Sequence, residues 1–377
     1  MRAVHRRFPV EETVTFMDED PFLGWGLKPV ELADQAVLNP YFSSLSEPLS
    51  DYTFSQLYTW RNSLRIIWKE IAGHLCVFAN GAGDLTLLMP PIGDTGGDSA
   101  LKAAFELMDD YNANHGVPDR SRIEYCSEEL LSRFNRDSLS VTPMGADYVY
   151  DVNRMIDLPG GDLASKRQAK NRFIRNYRYR AEPYSAPDHF KDCLALLDNW
   201  KIHQDAQHLE EPNANAIKRS KESIATALCL ESAQTLGMQG MVVYVEDRAR
   251  GDVAVKWSLR AFTFGETLGR QQSSITIEKT DLEVRGLAQF IFSEFCQKCW
   301  SHLPLVNVGD DWGLESLAWT KQSYRPVKML HKFVMRPQAI AMSPTGIDLK
   351  REAEPVVAAS EPAVGGCAEA VLSTKAA

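Results

Sequence analysis

The segment KRQAKNRFIRNYRYR, residues 166–180, holds seven Lys or Arg residues, no acid and three aromatics. On a helix, Ala169, Phe173, Ile174 and Tyr177 share one face, while Lys166, Arg167, Lys170, Asn171, Arg175 and Arg178 fill the rest. So dense a positive surface suits phosphate groups, and arginine adds bidentate contacts. The alternative is a solvated helix whose charges pair with acids elsewhere. A second segment, ITIEKTDLEVRGLAQF, places Glu278 and Lys279 at a strand end and Arg285, Gly286 and Ala288 at a helix start. Backbone N–H groups in that position can hold an anion, although a glycine there serves equally as a close packing contact. The third, NVGDDWGLESLAWTKQSYRPVKML, puts Asn307 at a strand end and Asp310 and Asp311 before a helix. Lys321, Tyr324 and Lys328 follow around a Pro-fixed turn. Asp311 is then a helix cap or a catalytic acid, and Tyr324 a general acid or a plug at a core edge.

The elements that must carry these residues alternate between helical and strand-like patterns. LSDYTFSQLYTWR reads as a helix capped by Ser50 or Asp51, with Phe54, Leu57, Tyr58 and Arg61 at helical spacing. HLCVFA and LTLLMPP form a hairpin about Gly81, Gly83 and Asp84, and SALKAAFELMDDYNANHG is an amphipathic helix stopped by Gly116. The strand RIEYC, the helix SEELLSRFN and the strand ADYVYDV complete a first unit. The second unit starts with the basic helix and a helix after SAPD with a Ser185/Asp188 capping box. Two strands about an Arg-Gly turn, the strand SSITIEK and a helix buried along Ala288, Ile291, Phe292, Phe295 and Cys299 come next. LPLVNVG, WGLESLAWTKQ and VKMLHKFVM then read as strand, helix and strand. This order is α+β with a mixed sheet; it lacks the βαβ alternation and the GxGxxG of a dinucleotide fold. The expected division is 15–150 for the first unit, 151–337 for the second, and a disordered tail at 338–377 rich in Ala, Pro, Ser, Val and Gly. About the first fifteen residues read as loosely attached.

A chain of 377 residues is long enough for two domains at about 150 residues each, and its 44% hydrophobic and 24% charged composition is that of a globular protein. The net charge of −9 argues against a generic nucleic-acid coat or polybasic membrane binder, and no sequence-specific nucleic-acid binding is expected. No apolar run approaches the roughly 18–20 residues of a membrane span, so the expected location is cytoplasmic. Seven scattered cysteines indicate reduced thiols, and the Cys296/Cys299 pair has no second pair to complete a zinc site, so no metal is expected.

Four ordered blocks carry a family resemblance: SDYTFSQLYTWR at 50–61, YVYDVNRMIDLPGGDLASKRQAKNRFIRNY at 148–177, IEKTDLEVRG at 277–286 and DWGLESLAWTKQSYRPVKML at 311–330. Together they resemble a bacterial domain family related to the C-terminal domain of phosphatidylglycerol lysyltransferases. That resemblance implies tandem acetyltransferase-like (GNAT-like) units with mixed, mostly antiparallel sheets flanked by helices, and an active cleft in the second unit. It also implies acyl or aminoacyl transfer, with acyl-CoA or aminoacyl-tRNA as donor to a hydroxyl or amine, which needs a polarised carbonyl and a route for the acceptor proton. The coenzyme A loop of such folds has Gln or Arg where EVRGLA has Glu283, and an acid there repels a pyrophosphate. Carried onto this sequence, Lys166, Arg167, Lys170, Asn171 and Arg172 would contact donor or lipid phosphates, Glu278, Lys279 and Arg285 would line the cleft, and Lys321 and Tyr324 its floor. Glu278 and Tyr324 are the expected catalytic pair, with Asn307 among the substrate-binding groups. The membrane-spanning N-terminal part of full lysyltransferases is not expected here. The competing reading is a non-catalytic module that binds a phosphorylated or peptide ligand in the same cleft.

Overall fold

The computed structural model describes residues 22–94, 96–207, 213–247 and 256–338. The tail expected beyond 338, the first fifteen residues and the Arg-Gly turn at 250–251 lie outside them. The first part runs β1 (Lys28–Pro29), α1 (Gln35–Ser43), α2 (Phe54–Leu64), β2 (Ile66–Ile71), β3 (His74–Ala79), β4 (Thr86–Leu87), α3 (Asp98–Asn114), β5 (Ile123–Ser127), α4 (Glu128–Leu131) and β6 (Leu139–Asp151). The rest runs α5 (Val152–Asp157), α6 (Ala164–Asn176), β7 (Tyr179–Pro183), α7 (Ala186–Gln207), α8 (Asn213–Ser232), β8 (Gln239–Asp247), β9 (Lys256–Leu268) and β10 (Gln272–Thr280). It ends with α9 (Leu287–Phe295), β11 (Leu305–Asn307), α10 (Glu315–Gln322) and β12 (Lys328–Pro337).

Local signals account for most boundaries. Thr53, rather than Ser50 or Asp51, caps α2: its hydroxyl accepts from the Gln56 N–H, because Asp51 is drawn to a lysine described below. Helix α3 ends just before Gly116, which is left-handed at φ 72°. The Ser185 hydroxyl bonds the Asp188 carboxylate at 2.8 Å at the start of α7. The hairpin of β3 and β4 is short, with register Phe78↔Leu87 and Ala79↔Thr86, and β3 pairs more extensively with β2. Strand β2 and helix α8 were not among the expected elements.

The described strands form one sheet in the order β1-β2-β3-β4-β5-β12-β6-β11-β10-β9-β8-β7. This is the expected α+β class, a large, mostly antiparallel sheet flanked by helices. The final strand of the chain, β12, inserts antiparallel between β5 and β6. Strands β10 and β11 are parallel from Gln272↔Leu305 to Ser274↔Asn307, and no pairing continues beyond that point. Just past it β10 bulges against β9, between Ile275 and Ile277. Alternation along β8 sends Val242 and Tyr244 to one core and Met241, Val243 and Val245 to the other.

Helix α6 docks by Phe173, which is fully buried against Phe290 (4.7 Å between ring centroids) and Tyr179 (5.2 Å). Ile174, expected on that face, is 39% exposed. The crossing of α6 and α9 depends on Gly286, at φ 84°, where an added Cβ would fall inside van der Waals contact of the Ala169 carbonyl oxygen. The helix start read as an anion site is therefore a packing contact with α6. Replacing Gly286 by Ala adds left-handed strain to a backbone clash, and a loss of about 2–4 kcal/mol is expected in urea unfolding.

Candidate functional site

Strand β12 reads Leu330-His331-Lys332, and the two-residue period turns Lys332 to the same inward side as Leu330. Its ammonium, 0% exposed, contacts three carboxylates: Asp51, Asp147 at 2.7 Å and Asp310 at 2.8 Å. Asp147 lies on β6, Asp51 precedes α2 and Asp310 follows β11. The three acids approach one another closely enough to suggest a cation site, and Lys332 supplies the cation. Burial alone would lower the Lys332 pKa; Asp147, Asp310 and Asp51 override it and raise the pKa well above its usual value.

Asp147 also accepts from the Ser50 N–H (2.7 Å) and the Asn307 side-chain amide (3.0 Å), and the Asn307 carbonyl oxygen accepts from the Gly309 N–H (2.8 Å). Lys321 reaches the same loop from α10 and donates to the Val308, Gly309 and Asp310 carbonyls at 2.7, 3.2 and 2.6 Å. Burial brings its pKa down to about 8, with Asp310 and Asp147 opposing the shift. Within the loop, Gly309, Trp312 and Gly313 are all left-handed, and Trp312 is strained there at φ 57°. The Tyr148 hydroxyl donates to Asp311 at 2.6 Å.

Above this loop opens a cavity of about 400 Å³ between α2, α8 and the sheet. Trp60 and Trp312 stand at 5.9 Å on its wall, Asp51, Asp310 and Asp311 bring carboxylates into it, and Lys218 and Lys221 of α8 line it as well. An aromatic, acidic chamber with lysines beside it can hold an ammonium group on one part of a ligand and phosphate on another.

The expected site residues separate into groups. Glu278 and Tyr324 are fully buried on the α9 side of the sheet, close enough that the Glu278 charge, after burial, raises the Tyr324 pKa. Lys166 sits 4.7 Å from the centre of the Tyr324 ring and 5.8 Å from that of Trp319. Neither Glu278 nor Tyr324 lines the cavity. Among the described residues neither Glu278 carboxylate oxygen has a hydrogen-bond partner, and burial pushes its pKa well above the usual carboxylate range. Lys279 points to the opposite face, where it pairs with Glu222 at 2.6 Å and lies 3.6 Å from the centre of the Trp200 ring.

Several expected phosphate ligands have other partners. Arg167 donates to the carbonyls of Leu158 and Gly160, closing the end of α5. Lys170 donates to Ile156 O at 3.0 Å and Ser293 Oγ at 2.7 Å, and burial lowers its pKa. Asn307 and Lys321 shape the loop after β11: Lys321 serves its carbonyls, and Asn307 links the Gly309 N–H to the Asp147 carboxylate. Asn171, Arg172 and Arg285 are exposed. Residues 42–336 match the family described as phosphatidylglycerol lysyltransferase, C-terminal. The chain belongs to this family.

Three solved structures show the likeness in fold. A conserved protein of unknown function from Bacteroides thetaiotaomicron shares 23% identity at a TM-score of 0.70, covering 83% of this chain and 99% of its own. L-PGS from Bacillus licheniformis shares 14% identity at a TM-score of 0.53, covering 84% and 94%. FemX shares 8% at 0.50, covering 81% and 96%. Comparison with curated proteins finds no match. Among the described residues of this family member, no helix is long and apolar enough to cross a membrane.

Sequence reasoning missed Lys332, Asp51, Asp147, Trp60 and the two α8 lysines. The sequence carried little signal for Lys332, because it shares its two-residue phase with Lys328, Leu330, Val334 and Arg336, a mixed pattern that does not mark a lysine as buried. Lys332→Met leaves three carboxylates without their cation and is expected to cost about 3–5 kcal/mol in urea unfolding. Glu278 gives a pH signature. Its folded pKa is raised, so as pH climbs above the unfolded value of roughly 4.3 the unfolded chain ionises first and wild-type stability falls. Glu278→Gln removes that penalty, and its melting temperature is expected to exceed that of wild type by more at pH 8 than at pH 5.

Proposed function

We propose that the chain transfers an aminoacyl group from aminoacyl-tRNA to a hydroxyl or amine acceptor. The observation that carries this reading is the cavity itself: carboxylates and indoles inside suit the α-ammonium of an aminoacyl ester, and Lys218 and Lys221 suit the phosphates of the tRNA end. Family membership supports the same reaction class. An acyl-CoA donor fits less well. Glu283 is retained where such loops place Gln or Arg, and α6 packs against the start of α9 where a pyrophosphate would need room.

In the reaction, the acceptor oxygen or nitrogen attacks the ester carbonyl carbon and forms the new C–O or C–N bond. The bond from that carbon to the ribose oxygen breaks, and the proton lost by the acceptor is matched by the one gained by the ribose hydroxyl. Asp311, oriented by Tyr148, holds the α-ammonium, and Trp60 and Trp312 confine the acyl group. Glu278 and Tyr324, on the far side of the sheet, act on catalysis by supporting the strand and helix that shape the gap between β10 and β11.

The test incubates purified protein with charged tRNA pools and lipids, peptides and small amines, following ester loss and product mass. Acceptor-dependent loss of the ester is expected, reduced about tenfold or more by Trp60→Ala or Asp311→Asn. Binding of charged tRNA with no ester loss above the spontaneous rate would instead establish the non-catalytic module.

A further inference from the structure

Helix α8 carries the two cavity lysines, and over β10 it is fixed by one charged contact. Its inward residues there, Ala225, Thr226 and Cys229, are all small and line a void of about 10 Å³ together with Gln56, Trp60 and Thr276. Side chains this short interdigitate little and leave the rotation of a helix about its axis weakly fixed. The directional contact comes from Glu222, which meets the Lys279 ammonium of β10 at 2.6 Å, with the centre of the Trp200 ring of α7 3.6 Å from the same ammonium. Both partners are buried. Such a pair adds little stability over hydrocarbon of the same volume, but it holds in one geometry only. Lys221 directly precedes Glu222 in the helix, and Lys218 lies one turn earlier. From the other side, the Ser63 hydroxyl of α2 donates to the Lys221 carbonyl at 3.0 Å, and the Lys221 ammonium donates to the Gly81 carbonyl at 3.3 Å. An ammonium has three donors, so one bond to a carbonyl leaves it able to meet a phosphate as well. Turning α8 by one residue, about 100°, would carry both lysines away from the cavity.

Resting on the aminoacyl-transfer reading, we infer that Lys279 and Glu222 are positioning residues for the donor. The buried pair sets the rotation of α8 and so aims Lys218 and Lys221 at the phosphates of the tRNA end. Neither member of the pair lines the cavity, and both act through the helix.

The test uses the full chain with a charged tRNA pool and reads apparent KM, kcat, the salt dependence of KM and urea unfolding for each variant. Lys279→Met combined with Glu222→Leu removes both charges together and is expected to stay folded. Its KM is expected to rise about tenfold with kcat within about twofold of wild type. The slope of log KM against log salt is expected to shrink by roughly one to two, the loss of one or two phosphate contacts. Glu222→Gln keeps an oxygen facing Lys279 but strands its charge. It is expected to be the less stable variant and yet to hold KM within about threefold of wild type. A KM that follows stability, high in Glu222→Gln and unchanged in the apolar pair, overturns the inference, as does an unchanged salt slope in the apolar pair. Should one variant fail to fold, the KM of the other, read with its salt slope, decides. Lys218→Ala with Lys221→Ala separates the two readings: a raised KM there with none in the apolar pair leaves aminoacyl transfer standing without this inference. Loss of ester from no charged tRNA removes both.

Discussion

Four distant stretches of chain meet at the ammonium of Lys332. Asp51 lies 281 residues before it in sequence, Asp147 sits on the neighbouring strand β6, and Asp310 closes the loop after β11. The lysine can reach all three only because β12, the last strand, inserts between β5 and β6 instead of adding to an edge. A buried ion group of this kind gains little over a hydrocarbon core of the same shape, since desolvation offsets most of the attraction. What it provides is register. A one-residue slip of β12 would turn Lys332 to the other side of the sheet and leave the three acids without their cation. The same contact therefore fixes the strand order, the approach to α2 and the position of the loop that floors the cavity.

That loop is held on every side by side chains that satisfy its backbone. Asn307 turns it at Gly309, Lys321 gathers three consecutive carbonyls, and the carboxylates of Asp310 and Asp311 accept from the N–H groups of Trp312 and Gly313. With those bonds in place the chain can keep Trp312 in a left-handed conformation that otherwise costs about 1–3 kcal/mol. The result is an indole held opposite Trp60 without reliance on the ligand. Preorganisation of that sort lowers the entropy lost when a substrate is bound.

Legibility in the sequence tracked the range of the interaction. Gly116 at the end of α3, Ser185 with Asp188 at the start of α7 and the apolar stripe of α9 are local signals, and each was readable. Helix α8 was not read, although it supplies two of the cavity lysines. Lys321 resembled a substrate ligand because its carbonyl partners, 11 to 13 residues away, are backbone groups that leave no trace in residue type. Lys332 and its acids were invisible as a group, since no local pattern links position 332 to positions 51 and 147. Glu278 was recognised as an acid at a strand end. Its complete burial beside Tyr324 and Cys296, on the α9 side of the sheet, is revealed only by the tertiary packing.

Strand β10 carries two ionisable side chains in succession, and the sheet treats them in opposite ways. Lys279 faces α7 and α8, where Glu222 and the Trp200 ring compensate its charge. Glu278 faces the aromatic core of Phe292, Tyr324 and Tyr150, where burial favours its neutral form. A hydrocarbon side chain would fill that space at lower cost, so packing alone does not explain a carboxyl there. Its position supplies a reason connected with the site. Glu278 stands just beyond the bulge at Ile275–Ile277, on the stretch of β10 that no longer pairs with β11, and β11 leads directly into the loop flooring the cavity. A neutral carboxyl keeps both a donor and an acceptor available in a gap where the strand backbones have lost their ladder partners. The two faces of β10 thus treat neighbouring ionisable groups differently: Lys279 is paired with Glu222 under α7 and α8, while among the described residues Glu278 finds no hydrogen-bond partner in the aromatic core on the α9 side.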